Sequence, residues 1–173
     1  MATNFVPIAS TILTNSTTGA VTFNSFTATS SSLLLRVSAR TTGSTTVAQL
    51  TVNGTGASYT YGYCSFSNAG NAVTQSFVPV YLPVNASNSS SFSVTDILFI
   101  NYSSQNGTSN LNTKKQITVQ SAFADAGGTT ADGYTNIYLV SAVTTILDAI
   151  TSITLTAGNL FASGSRFDLY TIN

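Results

Sequence analysis

Ionisable side chains are scarce in this chain: five basic and five acidic residues among 173, with a net charge of zero and no histidine. All five acids are aspartates, so glutamate is missing as well. Without His or Glu the commonest general bases and most zinc layouts are absent, and no Ser–His or Cys–His nucleophile can be assembled. A pair of carboxylates close in sequence, Asp125 and Asp132, stands in the string DAGGTTADG, which matches no catalytic pattern. That string offers oxygen ligands of the kind calcium takes, but not at the spacing of a known calcium loop, and it reads as a plain turn. The residue types therefore predict no enzyme, no catalytic or metal site and no cofactor.

Chemistry of contact is better represented. Tyr59, Tyr61 and Tyr63 recur at period two, which puts them on a single face of a strand. Tyrosine suits protein interfaces and stacking on sugars, because it is amphipathic and loses little rotamer entropy. The same row would also serve simply to pack over a sheet. Leu160 and Phe161, at the tip of the last hairpin, either meet a partner or fold over the end of the core. Asp96 alternates with Val94, Leu98 and Ile100, an acid on an otherwise apolar face. An unpaired buried carboxylate is costly, so Asp96 is expected to be at least partly buried and paired, with Arg36 as its partner. Arg36 and Arg40 share a strand face with Leu34, and Lys114-Lys115 reads as a solvated strand entrance.

The elements that must position these residues are strands. Leu33 to Arg40, Val47 to Asn53, Phe92 to Asn101, Ile150 to Thr156 and Ser165 to Ile172 read as strands from their period-two patterns and β-branched or aromatic content. Asn53-Gly54 is a strong turn signal. Ser67 to Asn71 reads as loop. Phe77 to Val84 carries Pro79 and Pro83, whose missing N–H donors predict an open sheet edge, and Pro7 suggests a sheet edge or strand end for the first strand, Phe5 to Thr14. Val143, Ile146, Leu147 and Ile150 fall at helical spacing, but the β-branched content favours a bent connection. About ten short strands with turns every 8–12 residues predict one all-β domain over residues 1–173, an antiparallel β-sandwich of jelly-roll type.

Composition points to association. Only 6% of the chain is charged, against about 25% in an ordinary soluble protein. Ser, Thr, Asn and Gly must cover much of the surface, and near-neutral surfaces tend to associate. Zero net charge lacks the footprint of nucleic-acid or anionic-membrane binding. No apolar run approaches the roughly 20 residues of a membrane-spanning helix, and MATNFVPIAS has no secretory-signal pattern. Cys64, the one cysteine, allows no intrachain disulfide.

Three strings carry a resemblance: SSLLLRVSAR at 31–40, DILFINYSS at 96–104, and AITSITL followed by FASGSRFDLYTI at 149–172. Together they resemble small β-sandwich virion proteins of tailed bacteriophages. The resemblance implies a structural role in the virion, most directly a cement or decoration subunit on the head exterior, bound to the major capsid protein or another virion protein. The alternative it implies is a receptor- or carbohydrate-binding module at a fibre tip, contacting a host surface glycan. With a strand almost at the start of the chain and no anchoring segment before it, the decoration reading is the first expectation. A homo-oligomer is expected, and the number three is implied by the resemblance alone.

Overall fold

The computed structural model describes residues 4–26, 32–43, 47–54, 58–65, 69–83, 92–103, 115–125, 134–146 and 148–173. They form two antiparallel sheets packed face to face. Strands β1 (Phe5–Ile12), β3 (Ser32–Ser38), β8 (Val94–Ile100) and β12 (Arg166–Ile172) lie in one sheet in the order β1-β12-β3-β8. Strands β2 (Ala20–Asn24), β4 (Val47–Val52), β7 (Val78–Tyr81) and β11 (Ser152–Ala157) form the other, in the order β2-β11-β4-β7. Counted among themselves, these eight strands are ordered 1-8-3-6 over 2-7-4-5, the double Greek key of a jelly roll.

Two inserted hairpins widen the first sheet. β9 (Gln116–Asp125) and β10 (Tyr134–Thr144) follow β8, and β5 (Tyr59–Ser65) and β6 (Ala69–Gln75) lie between β4 and β7 in the chain. Together they extend that sheet to eight strands, β1-β12-β3-β8-β9-β10-β5-β6, facing a sheet of four. The described residues form twelve strands rather than about ten. The strand missed by pattern is β6, whose first residues fall where Ser67 to Asn71 reads as loop. Its Ala-Gly-Asn-Ala start has no strand preference; pairing with β5 in register Tyr59↔Gln75 to Cys64↔Ala69 makes it a strand.

Alternation explains why each segment is a strand with one face in the core. Leu33, Leu35 and Val37 of β3, Ile97 and Phe99 of β8, and Phe167 and Leu169 of β12 are all essentially buried between the sheets. Across from them lie Leu50 and Val52 of β4, Val78 and Val80 of β7, and Ile153 and Leu155 of β11. Among the described residues β7 is an edge strand, paired with β4 alone, as its proline implies; Pro83 lies beyond the strand's end. β1 is one edge of the large sheet and β6 the other, with an irregularity in the register of β1 between Pro7 and Ala9. The Asn53-Gly54 turn has positive φ at both residues, 52° and 84°. Val143 belongs to β10, and no helix occurs among the described residues.

A candidate interaction surface on the eight-stranded sheet

The outward face of the large sheet has no second layer among the described residues. Strand register lines its side chains into rows that run across the strands. One row is polar: Ser10, Asp168, Arg36, Asp96 and Gln120 stand directly opposite one another on β1, β12, β3, β8 and β9. Arg36 grips Asp96 with two bonds, Nε donating to Oδ1 at 2.8 Å and Nη2 to Oδ2 at 2.9 Å. Asp168 accepts from Ser10 Oγ at 2.6 Å and from Arg166 Nε at 2.7 Å.

These bonds tune the charges in a consistent direction. The Asp96 carboxylate, by hydrogen bond and then by charge, holds the Arg36 guanidinium above its ordinary pKa. At Asp168 burial alone would raise the pKa, but the bonds from Arg166 and Ser10, with the charges of Arg166 and Arg36, outweigh it and lower the value. The row carries two arginine–aspartate pairs with its neighbour Arg166, and its net charge is zero.

Apolar rows flank the polar one. On one side Val94, Ala122 and Ile137 are directly opposite on β8, β9 and β10, with Val94 64% and Ile137 54% exposed. Beside them and the Asp96–Gln120 pair is a depression of about 220 Å³. On the other side Tyr170, Leu34 and Leu98 form a row, then Phe5 and Ile172. Phe5 meets Tyr170 edge to face, ring centroids 6.4 Å apart. A second depression, of about 240 Å³, lies between this apolar side and the same Asp96–Gln120 pair. The face thus reads apolar, polar, apolar along the strand direction.

The site residues expected from sequence divide sharply. Asp96 and Arg36 are paired as expected, on the outward face, with their side chains 36% and 51% exposed. The tyrosine row is a correction: Tyr59, Tyr61 and Tyr63 point between the sheets, and Tyr59 and Tyr61 are buried. Thr60 and Cys64, the smaller side chains of β5, take the exposed face instead. Tyr59 has a structural task, since its hydroxyl accepts the Val52 N–H at 2.9 Å. Phe161 is also a correction; it is fully buried and packs edge to face on Phe167 at 5.0 Å. Leu160, its neighbour, is 40% exposed, so the hairpin tip offers one apolar side chain rather than two. Lys115 is buried rather than solvated. Burial lowers its pKa, against a smaller opposing pull from Asp148. Asp132 and most of the DAGGTTADG string lie outside the described residues. Among the described residues, no cluster of three or more His, Cys, Asp or Glu side chains is positioned to hold a metal.

Sequence reasoning missed Ile137 and Leu139 of β10 and Phe5 of β1 as exposed apolar residues. Their strands carry apolar residues at both parities, so alternation alone does not say which face is outside. It also missed Tyr81 and Tyr138, which stack in parallel with centroids 4.0 Å apart and an interplanar angle of 7°, with Phe123 at 5.9 Å from Tyr138. Both tyrosines are half-buried at the flank where β7 faces β9 and β10, close enough to Tyr63 and Tyr61 for the phenols to influence one another. Comparisons with protein-family models, curated proteins and solved structures find no match.

Proposed function

We propose that this chain is a structural subunit of a tailed-phage particle, a homo-oligomeric decoration or cement protein on the head exterior. The phage assignment draws its support from the three resembling strings. The observation that carries the structural role is the outward face of the eight-stranded sheet. It exposes apolar side chains on both sides of a polar row whose arginines and aspartates are already paired. Exposed apolar side chains grouped on one face mark a contact surface. Pairing within the chain lets that face be covered without stranding a charge. The reading needs no catalytic group and no bound cofactor.

The test is co-purification with the particle. Purified virions, banded by density and analysed by quantitative mass spectrometry, are expected to carry the chain at a copy number near that of the major capsid protein. A copy number of a few per particle, or absence from the banded virion, rejects the decoration role.

A second reading is favoured by one specific observation, the half-exposed aromatic group of Tyr63, Tyr81 and Tyr138. It would make the flank of the sandwich a carbohydrate contact in a receptor-binding module. Glycan-array binding that is lost in Tyr81→Ala, while the fold is kept, would support that reading; a blank array removes it.

A further inference from the structure

We propose that the outward face of the eight-stranded sheet is the contact between two copies of this chain, related by a two-fold axis running along the strands between β3 and β8. An isologous contact requires that each residue meet its counterpart reciprocally. The polar row supplies a charge pattern that satisfies this requirement. Read across the sheet it runs Asp168, Arg36, Asp96, Gln120, negative, positive, negative, neutral. Turning a second copy over an axis between Arg36 and Asp96 lays Arg36 of each copy on Asp96 of the other. An in-plane axis at right angles, along the row, would lay every charge on its own like and is disfavoured.

The same operation matches the apolar rows at two pairs, and sets Val94, Ala122 and Tyr170 against Ser38, Arg166 and Thr118 of the second copy. Leu34 is directly opposite Leu98 within the chain, so the axis between them sets each against the other in the second copy. Further out, Ile137 of β10 meets Ile12 of β1, exposed at 54% and 57%. Face-packed sheets are rotated by about 30° from each other, so the match is strictest at the four residues beside the axis. Six strands, β1 to β10 in the sheet order, take part, and β5 and β6 overhang.

The area is sufficient. Six strands about 4.8 Å apart and about seven residues long project to roughly 24 by 23 Å, or roughly 1,100 Å² over two copies. A specific interface needs about 1,000 Å². A partner of strong net charge finds nothing to attract it on a face whose charges cancel. Pairing through the β1 edge is opposed by Pro7 and the irregularity beside it.

This inference rests on the self-association part of the proposed function and not on the phage particle, and its test is made with isolated full-length chain. Sedimentation equilibrium across a dilution series is run on the wild type, Arg36→Asp, Asp96→Arg and an equimolar mixture of the two variants. The wild type is expected to be a dimer. Each variant alone places like charges across the axis and weakens dimerisation about thirtyfold or more. In the mixture the introduced aspartate of one chain faces the introduced arginine of the other. The unchanged Asp96 of the first then faces the unchanged Arg36 of the second, so affinity returns to within about threefold of wild type. A merely intrachain role for the ion pair gives no rescue on mixing. If either charge variant fails to fold, Ile137→Asp, at an exposed position, is expected to weaken the dimer at least about tenfold with its circular-dichroism spectrum unchanged. A wild-type monomer, a wild-type trimer, an unrescued mixture of folded variants, or an Ile137→Asp dimer of unchanged affinity overturns the proposal. A dimer that is absent from virions would leave this inference standing and remove the decoration role.

Discussion

Removing one oxygen from Tyr59 separates a structural tyrosine from a ligand-binding one. β7 pairs with β4 only as far as Leu50. Val52 lies two residues on, where alternation turns its N–H to the same side, and there the Tyr59 hydroxyl accepts it at 2.9 Å. Both groups are fully buried. Tyr59→Phe keeps the ring and its packing but leaves a buried donor without that acceptor. An unsatisfied buried group costs about 1–3 kcal/mol. At the central value of about 2 kcal/mol, a domain of this size should melt roughly 4–8 °C lower. Urea unfolding followed by circular dichroism should show the midpoint falling with its slope unchanged, since the surface exposed on unfolding hardly differs. The phenol also has a pH signature. Burial raises its pKa above the ordinary tyrosine value, against the bond from Val52. The folded state therefore holds the proton when the unfolded chain has lost it, and stability falls as pH rises past about 10. Tyr59→Phe should lose part of that alkaline decline. A change in stability below about 0.5 kcal/mol, the range of neutral surface substitutions, would show that the bond from Val52 contributes nothing to the fold.

Three further outcomes are expected. Asp168 has a folded pKa below its ordinary value, so its bonds contribute stability above the unfolded carboxylate pKa of about 3.9, lost as pH falls toward the folded value; Asp168→Asn should flatten that acid limb in stability measurements between about pH 5 and about pH 2. Phe161→Ala should cost about 3–5 kcal/mol in chemical denaturation, as for other buried aromatic truncations, whereas Leu160→Ala next to it should stay within about 1 kcal/mol. Gly164→Ala should destabilise by about 1–3 kcal/mol, because Gly164 has φ of 86° and an added Cβ would sit 3.2 Å from the Phe92 ring; an unchanged melting temperature would show that the final hairpin relaxes around it.

The sandwich was legible because half-buried strands write period two into the sequence, and the turn at Asn53-Gly54 and the edge at Pro79 have local causes. The Arg36–Asp96 pair was legible for a related reason, since an acid among apolar neighbours needs a partner. The orientation of faces was not. In β8 the outward residues Val94, Leu98 and Ile100 are as apolar as the inward Ile97 and Phe99, and inward Thr95 is polar. Thr95 is satisfied across the ladder by Ser121 at 3.1 Å, a long-range fact that no local pattern carries. The tyrosine row failed in the opposite sense. Its amphipathic rings suggested a contact face as readily as packing over the sheet, but Tyr59 uses its hydroxyl on a backbone donor from β4 and Tyr61 donates to Gln75 at 3.2 Å. The polar row across the sheet was invisible for the same reason, since Ser10 and Asp168 are 158 residues apart and meet only through register.

If copies of this molecule meet through the outward face of its larger sheet, oxidative footprinting of the isolated chain at low and high concentration, read residue by residue by mass spectrometry, should register it. Phe5, Val94 and Ile137 are expected to lose reactivity together as concentration rises, while Leu160 at the hairpin tip keeps its own. Unchanged reactivity at all three, or protection that falls instead on Leu160 or on Tyr63 and Tyr81, would contradict it.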